Sequence, residues 1–195
     1  PYTDPLIPKR YDRGHLKGKQ ACKEALMFEM GLQGGERSPL VAMVTRMTDQ
    51  KGFDLVERVL DEMLDFDIRF LLLGSGAGEY EQFMREAEAR HRGRVCAYIG
   101  YNEELSHRVY AGADMLLMPS KFEPCGLSQM IAMRYGALPI VRETGGLRDS
   151  VLPYNQSTGE RPGCPLAHYH PPTRTDAVAR PARAHPQQPR AGTGR

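Results

Sequence analysis

No apolar run in these 195 residues approaches the roughly 20 needed to cross a bilayer, and no signal-peptide pattern opens the chain. Neither a membrane span nor secretion is therefore expected, and a cytoplasmic location is. Cysteine is scarce: Cys22, Cys96, Cys125 and Cys164 stand singly, with no pair at zinc-ligand or redox spacing. A reducing compartment suits them. A basic surface for nucleic acid is missing as well. The formal net charge of +2 hides a split, because residues 162–195 hold five Arg, no Lys, one Asp and no Glu, which leaves −2 for the remainder. What remains is a soluble globular chain, 41% hydrophobic, long enough for one domain or one and a small appendage. Its first residues, Pro1-Tyr2-Thr3-Asp4-Pro5, read as a sequence entered in the middle.

From Pro39 to about Val151, short apolar runs alternate with amphipathic stretches. Residues 40–44, 68–73, 95–99, 115–118 and 137–141 are predicted as strands, and their near-continuous apolar character suits a parallel sheet covered on both faces. Residues 53–64, 79–91, 103–111 and 127–135 are predicted as helices. In the first of these, Leu55, Val59, Leu60, Met63 and Leu64 lie near helical spacing. This alternation predicts an α/β doubly wound parallel sheet, whose ligands bind outside the carboxyl ends of the strands. Residues 11–31 read as a leading helix stopped at Gly31, and residues 33–38 as a loop into the first strand. The expected organisation is therefore a leading helix and loop over residues 1–38, a Rossmann-like domain over 39–161, and a tail over 162–195.

That tail has seven Pro, six Ala and three His among its residues and no apolar periodicity. Such a segment buries too little surface to offset its ordering entropy, so disorder is expected. Its composition is also what a GC-rich frame yields when translated out of register. A frame break near Arg161 is one reading and a divergent linker the other; translating the DNA in its remaining frames separates them.

Residues 119–147 are the most informative stretch. The strand at 115–118 runs into a loop with a single carboxylate, Glu123, and Gly126 then turns the backbone into a helix beginning near Leu127. A helix start offers unpaired N–H donors and partial positive charge, so a phosphate fits there with Glu123 close to whatever the phosphate carries. Arg46 and Lys51 follow the first strand, five residues apart around a turn. One offers a planar fork and the other a compact charge for a pyrophosphate; the plainer reading is two solvated surface charges.

The stretch resembles the donor-binding signature of bacterial glycogen synthases and plant starch synthases, retaining glucosyltransferases of the GT-B fold. Thr45-Arg46-Met47-Thr48-Asp49-Gln50-Lys51-Gly52 and Gly100-Tyr101-Asn102-Glu103-Glu104-Leu105-Ser106-His107-Arg108 match that family in order and spacing, and the likeness runs from about Asp4 to Glu160. It implies a chain that uses ADP-glucose, or less readily UDP-glucose, to extend the non-reducing end of an α-1,4-glucan with retention. The family needs no metal or other cofactor. It implies that Arg46 and Lys51 hold the phosphates, and that the amides of Gly126, Leu127 and Ser128 meet the distal one. Glu123 is then the carboxylate that orients the sugar. Related GT-B enzymes often carry a second Glu eight positions later. Here that position is Ile131, as in the synthase branch.

Several residues carry two readings. Tyr101 either stacks on adenine, as the resemblance implies, or packs in the core. Cys125 touches the donor or is a small buried thiol. Gly74, in Gly74-Ser75-Gly76-Ala77-Gly78, passes close to the nucleoside or makes a tight strand-to-helix turn; the third glycine of a dinucleotide fingerprint is absent. Thr144-Gly145-Gly146 turns the backbone near the sugar or is a simple loop. His107 and Arg108 are expected on a helix surface with no chemical role. The family's acceptor domain and final helices have no counterpart in this sequence, so the chain alone is expected to be silent. The alternatives are another GT-B nucleotide-sugar transferase or a non-catalytic nucleotide-sugar-binding module.

Overall fold

The computed structural model describes residues 1–152. The expected domain end at 161, Cys164 and the tail from 162 lie outside them. Five strands form one sheet in the order β3-β2-β1-β4-β5, and every neighbouring pair is parallel. These are β1 (Leu40–Val44), β2 (Arg69–Gly74), β3 (Val95–Ile99), β4 (Met115–Met118) and β5 (Leu138–Val141). Six helices accompany them: α1 (Lys17–Glu29), α2 (Phe53–Met63), α3 (Gly78–Arg90), α4 (Glu103–Gly112), α5 (Ser128–Arg134) and α6 (Gly145–Ser150). The doubly wound α/β expectation holds. Two elements were not anticipated: a 3-10 turn at Asp49–Lys51, and α6 where a loop was equally expected.

The apolar runs are continuous because the strands are covered on both sides. Leu40, Ala42, Leu71, Leu73 and Leu116 face one core, shared with Leu26, Leu105, Val109 and Ala132. Val41, Met43, Phe70, Leu72 and Met115 face the other, with Phe53, Val56, Leu60 and Met84. Successive residues of a strand point to opposite faces, so a strand buried on both must be apolar throughout. The buried line of α2 is Phe53, Val56 and Leu60, while Val59 is 39% exposed. The helix pivots on Phe53, and that rotates Val59 away from the sheet.

The leading helix begins at Lys17, later than expected, and ends as predicted at Gly31. There Leu32 N–H donates to the Met27 carbonyl at 2.8 Å and Gly31 N–H to Phe28 at 3.2 Å. Two of its lysines, Lys19 and Lys23, are buried. Lys19 Nζ donates to the carbonyls of Ala111 (3.1 Å), Ala113 (2.8 Å) and Tyr135 (3.1 Å), at the C-terminal ends of α4 and α5. A cation there meets the negative ends of two helices. Burial lowers the Lys19 ammonium to about 8. Tyr11 OH donates to the same carbonyls of Ala111 and Tyr135.

Nearby, the buried Asp4 carboxylate accepts from Tyr135 OH at 2.5 Å and from Leu6 N–H at 2.9 Å, and meets His107 Nδ1 at 2.8 Å. His107 is therefore a half-buried partner rather than a bare surface group. Arg108 forms a bidentate pair with Glu29, at 3.0 and 3.1 Å.

The site follows from the strand order. From β1 the chain winds outward through β2 and β3, then returns to place β4 and β5 on the other side of β1. Connections after β1 and β4 thus diverge, and a crevice opens between them at the carboxyl ends.

Candidate functional site

Three segments leave that edge side by side: 45–52 after β1, 119–128 after β4 and 142–146 after β5. Backbone and side-chain bonds stitch them together. Lys121 N–H donates to the Gln50 carbonyl at 2.9 Å, Gln50 Nε2 to Phe122 at 3.4 Å, Thr144 Oγ1 to Lys121 at 3.3 Å, and Gly146 N–H to Glu123 at 2.9 Å. The resulting cleft, of about 230 Å³, is lined on its polar side by Thr45, Arg46, Lys51, Ser120, Glu123 and the Gly126–Ser128 backbone segment.

Within it, Lys51 Nζ lies 2.5 Å from Glu123 Oε2. Ser120 Oγ donates to the same oxygen at 3.3 Å. Glu123 is only 9% exposed, so its charge is held by these two partners rather than by water. Arg46 is exposed and forms no ion pair among the described residues. The turn that carries Lys51 is itself anchored: Tyr80 OH, from α3, donates to Asp49, and the Tyr80 ring packs on Phe53 with centroids 5.2 Å apart. Hydrogen bonding to Asp49 pushes the Tyr80 phenol up to about 12.

Gly126 sits at φ 68°, where side chains are strained, and a Cβ there would stand 2.5 Å from Gln129 Oε1. The turn into α5 therefore needs glycine twice over. The helix begins at Ser128, with Leu127 as its N-cap and no side-chain cap. Its first amides are of the kind that helix geometry leaves without intrahelical partners.

Of the residues singled out from sequence, Arg46, Lys51, Glu123, Gly126, Leu127 and Ser128 share this cleft. Gly74, Tyr101 and Cys125 are not among its lining residues. Gly74 ends β2 against β1: a Cβ there would fall 1.8 Å from the Thr45 carbonyl, which makes it a close-approach position. Tyr101 is 85% exposed beyond the end of β3, which removes the core-packing alternative. Cys125 is exposed, which corrects the expectation of a buried thiol; the turn at Gly126 carries the preceding residue outward. Thr144-Gly145-Gly146 starts α6 and supports the backbone of Glu123. Ser120 and the Asp49–Tyr80 contact were missed. A lone Ser before a loop, and a Tyr on an amphipathic helix, give no local signal of a partner across the fold.

Among the described residues, no helix is long and apolar enough to cross a membrane. The family profile described as glycosyl transferases group 1 matches residues 31–160. A glycogen synthase of Bacillus cereus is 49% identical over 170 residues, which covers 87% of this chain and 36% of that protein. One from Fusobacterium nucleatum is 54% identical over 147 residues, covering 75% of this chain and 32% of the relative. The chain thus spans about a third of the length of the curated relatives it matches. Among solved structures, the catalytic domain of starch synthase IV from Arabidopsis thaliana, bound to ADP and acarbose, is similar with a TM-score of 0.76 and 41% identity. That match covers 81% of this chain and 33% of the starch synthase chain.

Proposed function

Because the chain belongs to the glycosyl transferases group 1 family, we propose that it is the sugar-nucleotide half of a glucan synthase that uses ADP-glucose. The observation that carries this reading is the grouping of Arg46, Lys51 and Glu123 on one cleft at the ends of β1 and β4. Two cations and a turn of backbone amides suit a pyrophosphate, and a single half-neutralised carboxylate suits sugar hydroxyls.

In this reading Arg46 and Lys51 hold the pyrophosphate while Glu123 orients the glucosyl ring. The bond between the anomeric carbon and the distal phosphate oxygen breaks, and negative charge gathers on the departing ADP. A glucan hydroxyl at the non-reducing end gives its proton to the departing phosphate oxygen, and its own oxygen forms the new α-1,4 bond on the face that the phosphate leaves, which retains the configuration. Fixed positive groups aimed at the leaving pyrophosphate lower that barrier. Lys51 serves both partners: it neutralises Glu123 before the donor arrives and turns to the pyrophosphate when the donor binds. Tyr101, exposed on the same sheet edge, is the platform for adenine. The acceptor is bound by the part of the relatives' length that this chain does not span, and the whole protein works in the cytoplasm. Ile131, 38% exposed on α5, stands where many other GT-B transferases have a second Glu, which favours the synthase branch.

Calorimetry on the 195-residue chain tests the reading with ADP, ADP-glucose, UDP-glucose and NAD. Binding of ADP and ADP-glucose, tighter than NAD, is expected. NAD binding without a response to ADP overturns the assignment.

A further inference from the structure

Gln129, in the first turn of α5, is fully buried at 0% exposed, yet its amide is committed to the loop before it. Nε2 donates to the carbonyls of Cys125 at 3.2 Å and Gly126 at 3.0 Å, and to Ser150 Oγ on α6 at 3.0 Å. Ser150 Oγ in turn donates to the Gly146 carbonyl at 2.5 Å, and Gly146 N–H donates to the Glu123 carbonyl at 2.9 Å. The bonds close a circuit from Glu123 through α6 and back to the residues that follow Glu123. Gln129 Oε1, by contrast, has no partner among the described residues. Flipping the amide would set that oxygen against two carbonyls, so the orientation is fixed. A buried acceptor left unpaired is costly, and a packing role would be filled better by an apolar side chain.

We propose that Gln129 is the positioning residue of the cleft, holding the 123–126 loop so that Glu123 stands against Lys51 and the loop backbone faces the ligand. The peptide bonds of the described residues are trans, and in a trans peptide the C=O and the following N–H point in opposite directions. Drawing the carbonyls of Cys125 and Gly126 towards Gln129 therefore turns the N–H groups of Gly126 and Leu127 away from it, and both residues line the cleft. This role rests on the donor-site reading, since the loop it positions is the donor's.

The test measures ADP-glucose affinity by calorimetry, alongside thermal melting, on the 195-residue chain. Gln129→Met keeps length but removes every donated bond, and affinity is expected to fall about tenfold. Gln129→Glu sets a carboxylate against the loop carbonyls, so its affinity at neutral pH falls further. On acidification it recovers severalfold relative to wild type, because burial raises the introduced acid's pKa and its protonated form regains one O–H donor. Ser150→Ala cuts only the link to α6 and is expected to cost about threefold at nearly unchanged melting temperature; it carries the test if the Gln129 variants do not fold. A purely structural role shifts melting without acid recovery. Wild-type affinity in Gln129→Met and Ser150→Ala overturns the positioning role and leaves the donor site standing. A wild-type chain that binds neither ADP-glucose nor ADP overturns the donor-site reading and takes this role with it.

Discussion

Lys51 and Glu123, 72 residues apart in the chain, meet at 2.5 Å in a cleft where Arg46 makes no ion pair among the described residues. The two charges divide the work of the site before any ligand arrives. In the proposed function, Glu123 keeps Lys51 near the place of the sugar, and a bound phosphate would have to draw it away.

That competition separates two substitutions. In a protein of full family length carrying this chain, Glu123→Gln keeps the shape of the side chain and removes its charge beside the developing oxocarbenium-like sugar. Turnover is expected to fall roughly thirty- to a thousandfold, the equivalent of about 2–4 kcal/mol. Donor affinity should hold or tighten up to about threefold, because Lys51 is released to phosphate. Lys51→Ala is expected to weaken ADP binding about ten- to a hundredfold as well as slowing turnover. Calorimetry with steady-state rates checks both, and wild-type turnover in the Glu123 variant reduces this carboxylate to a loop residue.

A polypeptide of these 195 residues is expected to transfer no glucose to glycogen. The chain spans about a third of the length of the relatives it matches, and glycosyl transfer needs a closed site that excludes water. Radiolabelled incorporation above a blank without protein is the contrary result.

Acid should act through Asp4. Burial pushes its carboxyl up, but hydrogen bonds from Tyr135, His107 and the Leu6 N–H outweigh that and hold it below the ordinary value of 3.8. A depressed folded pKa gives stability that is present above 3.8 and is lost as pH falls through the folded value. The gap in melting temperature between wild type and Asp4→Asn should therefore shrink as pH falls below 3.8. A gap that does not change on acidification contradicts this.

Alkali should act through Lys19. Its ammonium falls from 10.5 in the open chain to about 8 in the fold, so between those values the unfolded state binds more protons. Stability then rises with pH across that interval. Melting curves of wild type should gain on those of Lys19→Met as pH climbs from about 8 to 10.5. Parallel curves would place the lysine in a solvated setting.

Strands β1, β3 and β4 were legible to the residue, because a strand buried on both faces is a short uninterrupted apolar run bounded by polar loops. The face of α2 was less so. Val59 fits the helical period as well as Val56 does, and only the pivot at Phe53 decides which turns inward. The helix α6 was hidden by Gly145 and Gly146, which read as loop, yet its amides and Ser150 brace the Glu123 loop. At the site, Arg46, Lys51 and Glu123 were singled out by their place after strands together with the family resemblance, and they do line one cleft. Their pairing was not foreseen, because Lys51–Glu123 and Asp49–Tyr80 are contacts across the fold that local sequence does not encode.

The short helix α5 is gripped at both ends. At its C-terminus, the Tyr135 carbonyl is taken by Lys19 and Tyr11 and the Tyr135 hydroxyl by Asp4, all from the first 19 residues. At its N-terminus, it continues directly into the cleft loop through Leu127 and Gly126. Seven residues of helix make a strut about 10 Å long, too short to bend appreciably. The leading segment is thus joined to the loop that carries Glu123 through this one short helix.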